Sequence, residues 1–408
     1  MRKTLPILVA LTATAHAAQC PSPNATLAAC NQLTLHDIGA EGSLEYNPQD
    51  EPMVAYRPVS PPAQPKLVVI FHGHTGPLTT GFSEFQQLAA DQGMYSISLD
   101  SDFNGVNRQP DVCGSNLGPD STCSNDPGKI CGCYEGCYGA LHTLVWQGGP
   151  TNPSPPGLPA PVAGVLTTQG WVNLRYLPIE YRLASYLHYL SQQPGGSGWA
   201  TFLNSDGTIK YDNHMILAGL SRGAALAGII AKNHAVDRLL MFSGPAESLN
   251  ETAGTNTAHP TTYRYGASNS LGSCTASVAA PTWIADNDLY GNTGTPWQTR
   301  KIFTLIDSRT GGYAPDGGAH IAWLALHMEK QHAANFIDKF YDVQTYDHPN
   351  YGYTTGHYRA LVSEKICETA PAPDGDDGHV EALADHGCNG TQAETTYRHT
   401  LWRYMLTD

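Results

Sequence analysis

The junction at residues 214–232 constrains this chain more than any other segment. A run with buried-strand content, His214-Met-Ile-Leu-Ala218, leads at once into Gly219-Leu-Ser-Arg-Gly223, and an Ala-rich stretch of helical pattern, 224–232, follows without a loop. A strand that becomes a helix across five residues must turn sharply, and glycines at both ends of the pentapeptide let the backbone do so. The same alternation of short apolar run and helical pattern recurs along the chain, which is the pattern of a parallel sheet covered by helices.

Lys66-Leu-Val-Val-Ile-Phe71 reads as an early strand, 82–92 as a helix and Met94-Tyr-Ser-Ile-Ser-Leu-Asp100 as the next strand. Residues 179–190 form a helix with Leu183, Tyr186, Leu187 and Leu190 on one face. Arg238-Leu-Leu-Met-Phe242 and Lys301-Ile-Phe-Thr-Leu-Ile306 are further strands. Residues 319–340 are helical by period, 341–346 read as a final strand and 396–406 as a closing helix. Two stretches break the alternation. Residues 102–170 hold five cysteines and the run Pro153-Ser-Pro-Pro-Gly-Leu-Pro159, and 245–300 are loop-like. Both read as insertions, and an insertion as long as 102–170 suits a lid or substrate wall.

At 408 residues and 41% hydrophobic content the chain can bury a large core, while 41 Gly, 29 Pro and only 14% charged residues favour tight loops between buried elements. Disordered, fibrous and coiled-coil architectures are excluded on that composition. The net charge of −14 argues against nucleic acid as a partner, because duplex binding needs a basic surface. Residues 1–17 follow the order of a secretory signal: Arg2-Lys3, then an apolar stretch, then Ala15-His-Ala17. The expectation is export, extracellular or periplasmic, with 18–408 folding as one domain. No later run is long and apolar enough to suggest a membrane span.

All ten cysteines follow that leader, so disulfides are expected in preference to a metal site, the Cys131-Gly-Cys-Tyr-Glu-Gly-Cys137 spacing included. No cofactor is implied, and the acidic run Asp374 to Asp377 reads as a solvated loop rather than a calcium site. Cys367 and Cys388 bracket that loop and are expected to pair.

Ser221 sits at the centre of the pentapeptide, where a strained turn lifts a hydroxyl out at the end of a strand, as a nucleophile requires. A serine that merely caps the helix is the bland alternative. A tetrahedral oxyanion needs two fixed donors. The backbone N–H of Arg222 supplies one, and the loop His72-Gly-His-Thr-Gly76, directly after the early strand, offers His74 or Thr75 for the other. The imidazole of His72 is expected to tie that loop by a hydrogen bond rather than to react. A general base must follow the last strand in the chain order serine, acid, histidine. His379, in the loop between Cys367 and Cys388, fits best, with His357 as an alternative. The acid belongs just past the preceding strand, which selects Asp307. A second parse takes Asp286 or Asp288 as acid and His320 as base, but leaves the C-terminal segment without a role.

The stretch 180–245, with Tyr181-Arg-Leu, Gly198-Trp199, Ala218-Gly-Leu-Ser-Arg-Gly223, Val236-Asp-Arg238 and Phe242-Ser-Gly-Pro245, resembles a family of secreted α/β-hydrolases whose natural substrates are mostly unassigned. Thr295-Pro296, Trp323, Gly356-His-Tyr-Arg359, His379 and Trp402-Arg-Tyr-Met-Leu406 extend the resemblance to the C-terminus. Arg222 departs from the family pattern, which carries a small or polar residue there. The resemblance implies an α/β-hydrolase fold, favours His379 over His320, and implies ester hydrolysis as a class while saying little about the acyl or alcohol group; the expected partner is a small-molecule or polymer-derived ester cleaved by a serine triad. A peptidase or amidase on the same triad, and a non-catalytic binding protein of the same fold, are the competing readings. Neither the substrate nor the oligomeric state is written in the sequence.

Overall fold

Strand β3 (Leu67–Phe71) is apolar at every position and buried at every position, as a strand covered on both faces must be. It lies at the centre of the sheet, parallel to β4 (Tyr95–Leu99) on one side and to β5 (Met215–Leu220) on the other. The computed structural model describes residues 28–33, 53–73, 79–99, 146, 179–244, 250–251, 263–264, 301–307, 360–363, 383 and 392–407.

Seven further strands are described, five in the main sheet and two in a separate pair. These are β1 (Ala28–Leu33), β2 (Met53–Pro58), β6 (Arg238–Phe242), β9 (Lys301–Asp307) and β10 (Ala360–Ser363), with the short pair β7 (Asn250–Glu251) and β8 (Tyr263–Arg264) standing apart. The main sheet has eight strands in the order β1-β2-β4-β3-β5-β6-β9-β10. Pairings from β4 through β10 are parallel, while β1 with β2 and β2 with β4 are antiparallel. The sheet is therefore mixed, parallel in five of its seven pairings and antiparallel at the β1–β2 edge. Antiparallel neighbours need no crossover helix, so no helical pattern announces β1 and β2.

Four helices are described: α1 (Ser83–Asp91), α2 (Ile179–Gln192), α3 (Arg222–Asn233) and α4 (Gln392–Thr407). Helix α1 meets β4 through polar groups. Ser96 and Ser98, both buried, point hydroxyls at the Gln86 carbonyl and at Val54 O, and Gln86 Nε2 donates to Val54 O at 2.8 Å. Short hydroxyls there let the helix approach closely while the buried Gln86 amide finds a partner. Helices α1 and α4 join through Phe85, which meets Trp402 and Phe242 edge-to-face at 5.3 and 5.4 Å, and through an ion pair between Arg398 and Glu84. Arg398 also lies 4.6 Å over the Trp402 ring.

Arg238 opens β6 and is buried, yet both ends of its guanidinium are satisfied. Its Nε donates to Asp237 Oδ2 at 2.7 Å and its NH1 to the Met405 carbonyl at 3.1 Å, near the C-terminal end of α4, where carbonyls lack helical partners. Asp237 also accepts from Lys66 Nζ at 2.8 Å. Burial alone would push the Asp237 carboxyl up, but the Lys66 ammonium and the Arg238 guanidinium outweigh it and hold it below its ordinary value.

The last described strand in chain order is β10 at Ala360–Ser363, beyond the run 341–346 expected to be final. The runs 319–340 and 341–346, and the pairing of Cys367 with Cys388, lie outside the described residues. Of residues 102–170, expected to be an insertion, only Trp146 is described, buried and edge-to-face with Phe71 at 6.2 Å.

Candidate active site

Parallel strands β3, β5, β6, β9 and β10 bring their carboxyl ends to one edge of the sheet, where open α/β sheets carry their sites. Ser221 lies at that edge, directly between β5 and α3. Its backbone takes φ 55° and ψ −116°, and its side chain makes no capping hydrogen bond to the helix it precedes. A non-glycine residue in that region stores strain on the order of 1–3 kcal/mol and persists only where the surroundings hold it there. The cap alternative for Ser221 has no support in this geometry.

The surroundings can be named. Ser221 N–H donates to the Phe242 carbonyl of β6 at 2.8 Å, and its own carbonyl accepts from Ala224 N–H at 3.0 Å. A Cβ at Gly219 would stand 2.1 Å from the Gly223 carbonyl, and one at Gly223 would stand 2.2 Å from the Phe71 carbonyl. The two pentapeptide glycines are thus required by close approach: one of the turn to itself, the other of α3 to the end of β3. The reading of these residues as the room for a sharp turn holds, with identified neighbours.

From the β3 side, Gly73 touches the serine. A Cβ there would lie 2.9 Å from Ser221 Cβ and 3.6 Å from Ser221 Oγ. Beside it His72 is buried, with Nδ1 2.6 Å from the Gly73 carbonyl oxygen, so its imidazole ties the loop as the sequence suggests. His74 and Thr75 lie outside the described residues; Gly73, which directly precedes them, lies against the Ser221 side chain. The Arg222 backbone forms the first residue of α3, and the N-terminus of a helix directs unpaired N–H groups and partial positive charge at an anion in front of it.

Asp307 ends β9. Leu220 pairs with Phe242 and Phe242 with Leu305, so Asp307 stands one position past the level of Ser221 and two strands away. At the usual strand spacing that is a lateral backbone gap of about 10 Å. His379, His357, His320, Asp286 and Asp288 lie outside the described residues. By chain order, His379 follows β10, the last described strand, and His357 precedes it.

The sequence reading passed over Ser243 and Gly244 as chemistry. Ser243 follows β6, is buried and has φ 46°, the only other non-glycine residue with positive φ among those described. A Cβ at Gly244 would lie 2.6 Å from the Ser221 carbonyl oxygen and 2.8 Å from Ala224 Cβ. The available signal was the Phe242-Ser-Gly-Pro245 run, in which a small residue and a glycine follow a strand. Among the described residues no group of three or more His, Cys, Asp or Glu is placed to hold a metal ion, and no helix is long and apolar enough to cross a membrane.

No protein-family model and no curated protein matches the chain. Solved structures with similarity include esterase B from Lactobacillus rhamnosis, at 13% identity and a TM-score of 0.24 over 54% of this chain and 49% of that one. The same esterase B inhibited by a C4-C4 tributyrin phosphonate aligns at 12% identity and a TM-score of 0.25, over 54% and 50% of the two chains. An arylesterase aligns at 10% identity and a TM-score of 0.23, over 60% of this chain and 53% of its own. The chain thus spans about half the length of the solved structures it matches.

Proposed function

We propose that this protein is an exported serine hydrolase of the α/β-hydrolase fold, one domain over 18–408, that cleaves carboxylic esters through an acyl-enzyme. The observation that carries the reading is the Ser221 backbone at φ 55° and ψ −116° between β5 and α3. Strain at a serine whose side chain does not cap the helix, held by Phe242 and Ala224 and closely approached by Gly73 and Gly244, has a chemical use: it holds a hydroxyl at the carboxyl edge of the sheet, in front of a helix N-terminus.

In this reading Ser221 Oγ attacks the ester carbonyl and its proton passes to His379. The oxyanion is stabilised by the N–H of Arg222 and by an N–H of the loop that carries His74 and Thr75. As the intermediate collapses the carbonyl re-forms, the bond from the acyl carbon to the alcohol oxygen breaks, and the alcohol leaves with the proton from His379. Water then gives its proton to His379, attacks the acyl carbon and frees the acid, returning the proton to Ser221. Asp307 accepts the other imidazole N–H, fixing the tautomer and stabilising the imidazolium. Two features support this set: the position of Asp307 at the end of β9, and a chain order in which His379 comes after β10.

The test is hydrolysis of p-nitrophenyl esters of rising acyl length by wild type and Ser221→Ala. The expected loss is at least about 10³-fold in kcat with an unchanged melting temperature. Activity retained in Ser221→Ala removes the serine mechanism, and the chain-length profile of the wild type defines the acyl preference.

A further inference from the structure

Ser221 and Ser243 are both non-glycine residues at positive φ, and they end adjacent strands: Leu220 and Phe242 are partners in the β5–β6 register. The second strained residue is not a surface turn accident, for Ser243 is fully buried. Its left-handed backbone sends the chain back over the first turn. Gly244 then lies so close to the Ser221 carbonyl oxygen that a Cβ would reach 2.6 Å. One residue earlier, the Phe242 carbonyl takes the Ser221 N–H at 2.8 Å. Both polar groups of the Ser221 backbone are therefore engaged or covered from the β6 end, while Gly73 closes on its side chain from the β3 end. A residue with φ 55° is free to relax only if one of these walls moves.

We infer that Ser243 is a positioning residue: its left-handed conformation holds Phe242 O and Gly244 against the Ser221 backbone, and through them aims the Ser221 hydroxyl. This inference rests on Ser221 as nucleophile. What matters at 243 is the backbone conformation, so two substitutions separate it from any role of the hydroxyl. Ser243→Gly removes the hydroxyl and adopts positive φ without cost. Ser243→Thr keeps the hydroxyl but adds a branch at Cβ, which makes positive φ an outlier.

Labelling of Ser221 by a fluorophosphonate and steady-state hydrolysis of p-nitrophenyl butyrate are measured beside the melting temperature. Ser243→Gly is expected to label and turn over within about threefold of wild type. Ser243→Thr is expected to lose about 10²-fold in labelling rate and kcat, the cost of displacing a reacting atom by the order of 1 Å, with KM little changed. The inverse pattern, an active Thr variant and an inactive Gly variant, overturns the inference, as does full activity in Thr. Should Ser243→Thr fail to fold, Ser243→Ala decides. A hydroxyl role predicts that Gly and Ala both fail, the backbone role that both retain activity. Failure of the underlying reading is distinguishable, because the wild-type protein itself would then not label at Ser221.

Discussion

Gly73→Ala places a methyl group where the structure leaves no room for one. Its Cβ would sit 2.9 Å from Ser221 Cβ and 3.1 Å from the Leu220 carbonyl, so the loop must retreat about 0.5 Å to reach ordinary carbon–carbon contact near 3.4 Å. Ser221 cannot take up the displacement, because its N–H is bonded to Phe242 O and its carbonyl to Ala224 N–H. The movement falls on the loop from His72 onward, which carries the expected second oxyanion donor. A displacement of about 1 Å at a reacting centre costs about 10²-fold, so half of that is expected to lower kcat about tenfold while KM changes little. The control is Gly207→Ala, whose glycine has φ +86° and nothing within 4 Å of an added Cβ. It should cost about 1 kcal/mol of stability through backbone strain alone and leave kcat unchanged. Hydrolysis of p-nitrophenyl butyrate and thermal melting of both variants provide the measurement. Wild-type kcat in Gly73→Ala, in a protein that melts normally, would refute the idea that this loop is held in register with the serine.

Three further outcomes follow from particular residues. Asp237→Asn leaves a buried guanidinium without its carboxylate and should destabilise by about 3 kcal/mol; because the folded Asp237 carboxyl is held below its ordinary value, its contribution is full above about pH 4 and is lost as pH falls through the folded value, so urea unfolding at pH 7 and pH 3 should show the gap between wild type and variant closing in acid. His234 stacks on Tyr211 at 3.8 Å and burial lowers its basicity, so the neutral ring is favoured in the fold: its contribution is full above about pH 6.5 and declines as pH falls toward the folded value, and melting curves from pH 8 to pH 5 should fall more steeply for wild type than for His234→Phe. Replacing the base should depress kcat by several powers of ten with little effect on KM, so His379→Ala should behave as Ser221→Ala does and His320→Ala should remain active; the reverse would select Asp286 or Asp288 with His320.

The elements that the sequence revealed are those whose burial is two-sided or periodic. Strands β3 and β6 consist of apolar residues alone apart from Arg238, and α2 repeats Leu183, Tyr186, Leu187 and Leu190 on one face; their boundaries match the reading to within about two residues. Strands β1 and β10 were missed for opposite reasons. Cys30-Asn-Gln32 gives β1 little strand propensity, and its pairing comes from β2 across a distance in the chain that no local pattern encodes. Ala360–Ser363 is only four residues long, too short for a period to register.

The site divides in the same way. Gly219, Ser221 and Gly223 form a local motif and are legible because one turn must satisfy all of its own constraints. Ser243 and Gly244 act on Ser221 only because β6 lies beside β5, and a single sequence does not state which strand ends are neighbours. Asp307 is selected by its place at the end of a strand, and the register sets its backbone one position past the level of Ser221, two strands away.

The central claim is that Ser221 is a nucleophile, and the most direct measurement is intact-protein mass spectrometry after exposure to a fluorophosphonate, with peptide mapping of the adduct. The account predicts one adduct per chain, on Ser221, formed by the wild type and absent from Ser221→Ala. A folded wild-type protein that forms no adduct, or an adduct that persists in Ser221→Ala, would contradict it.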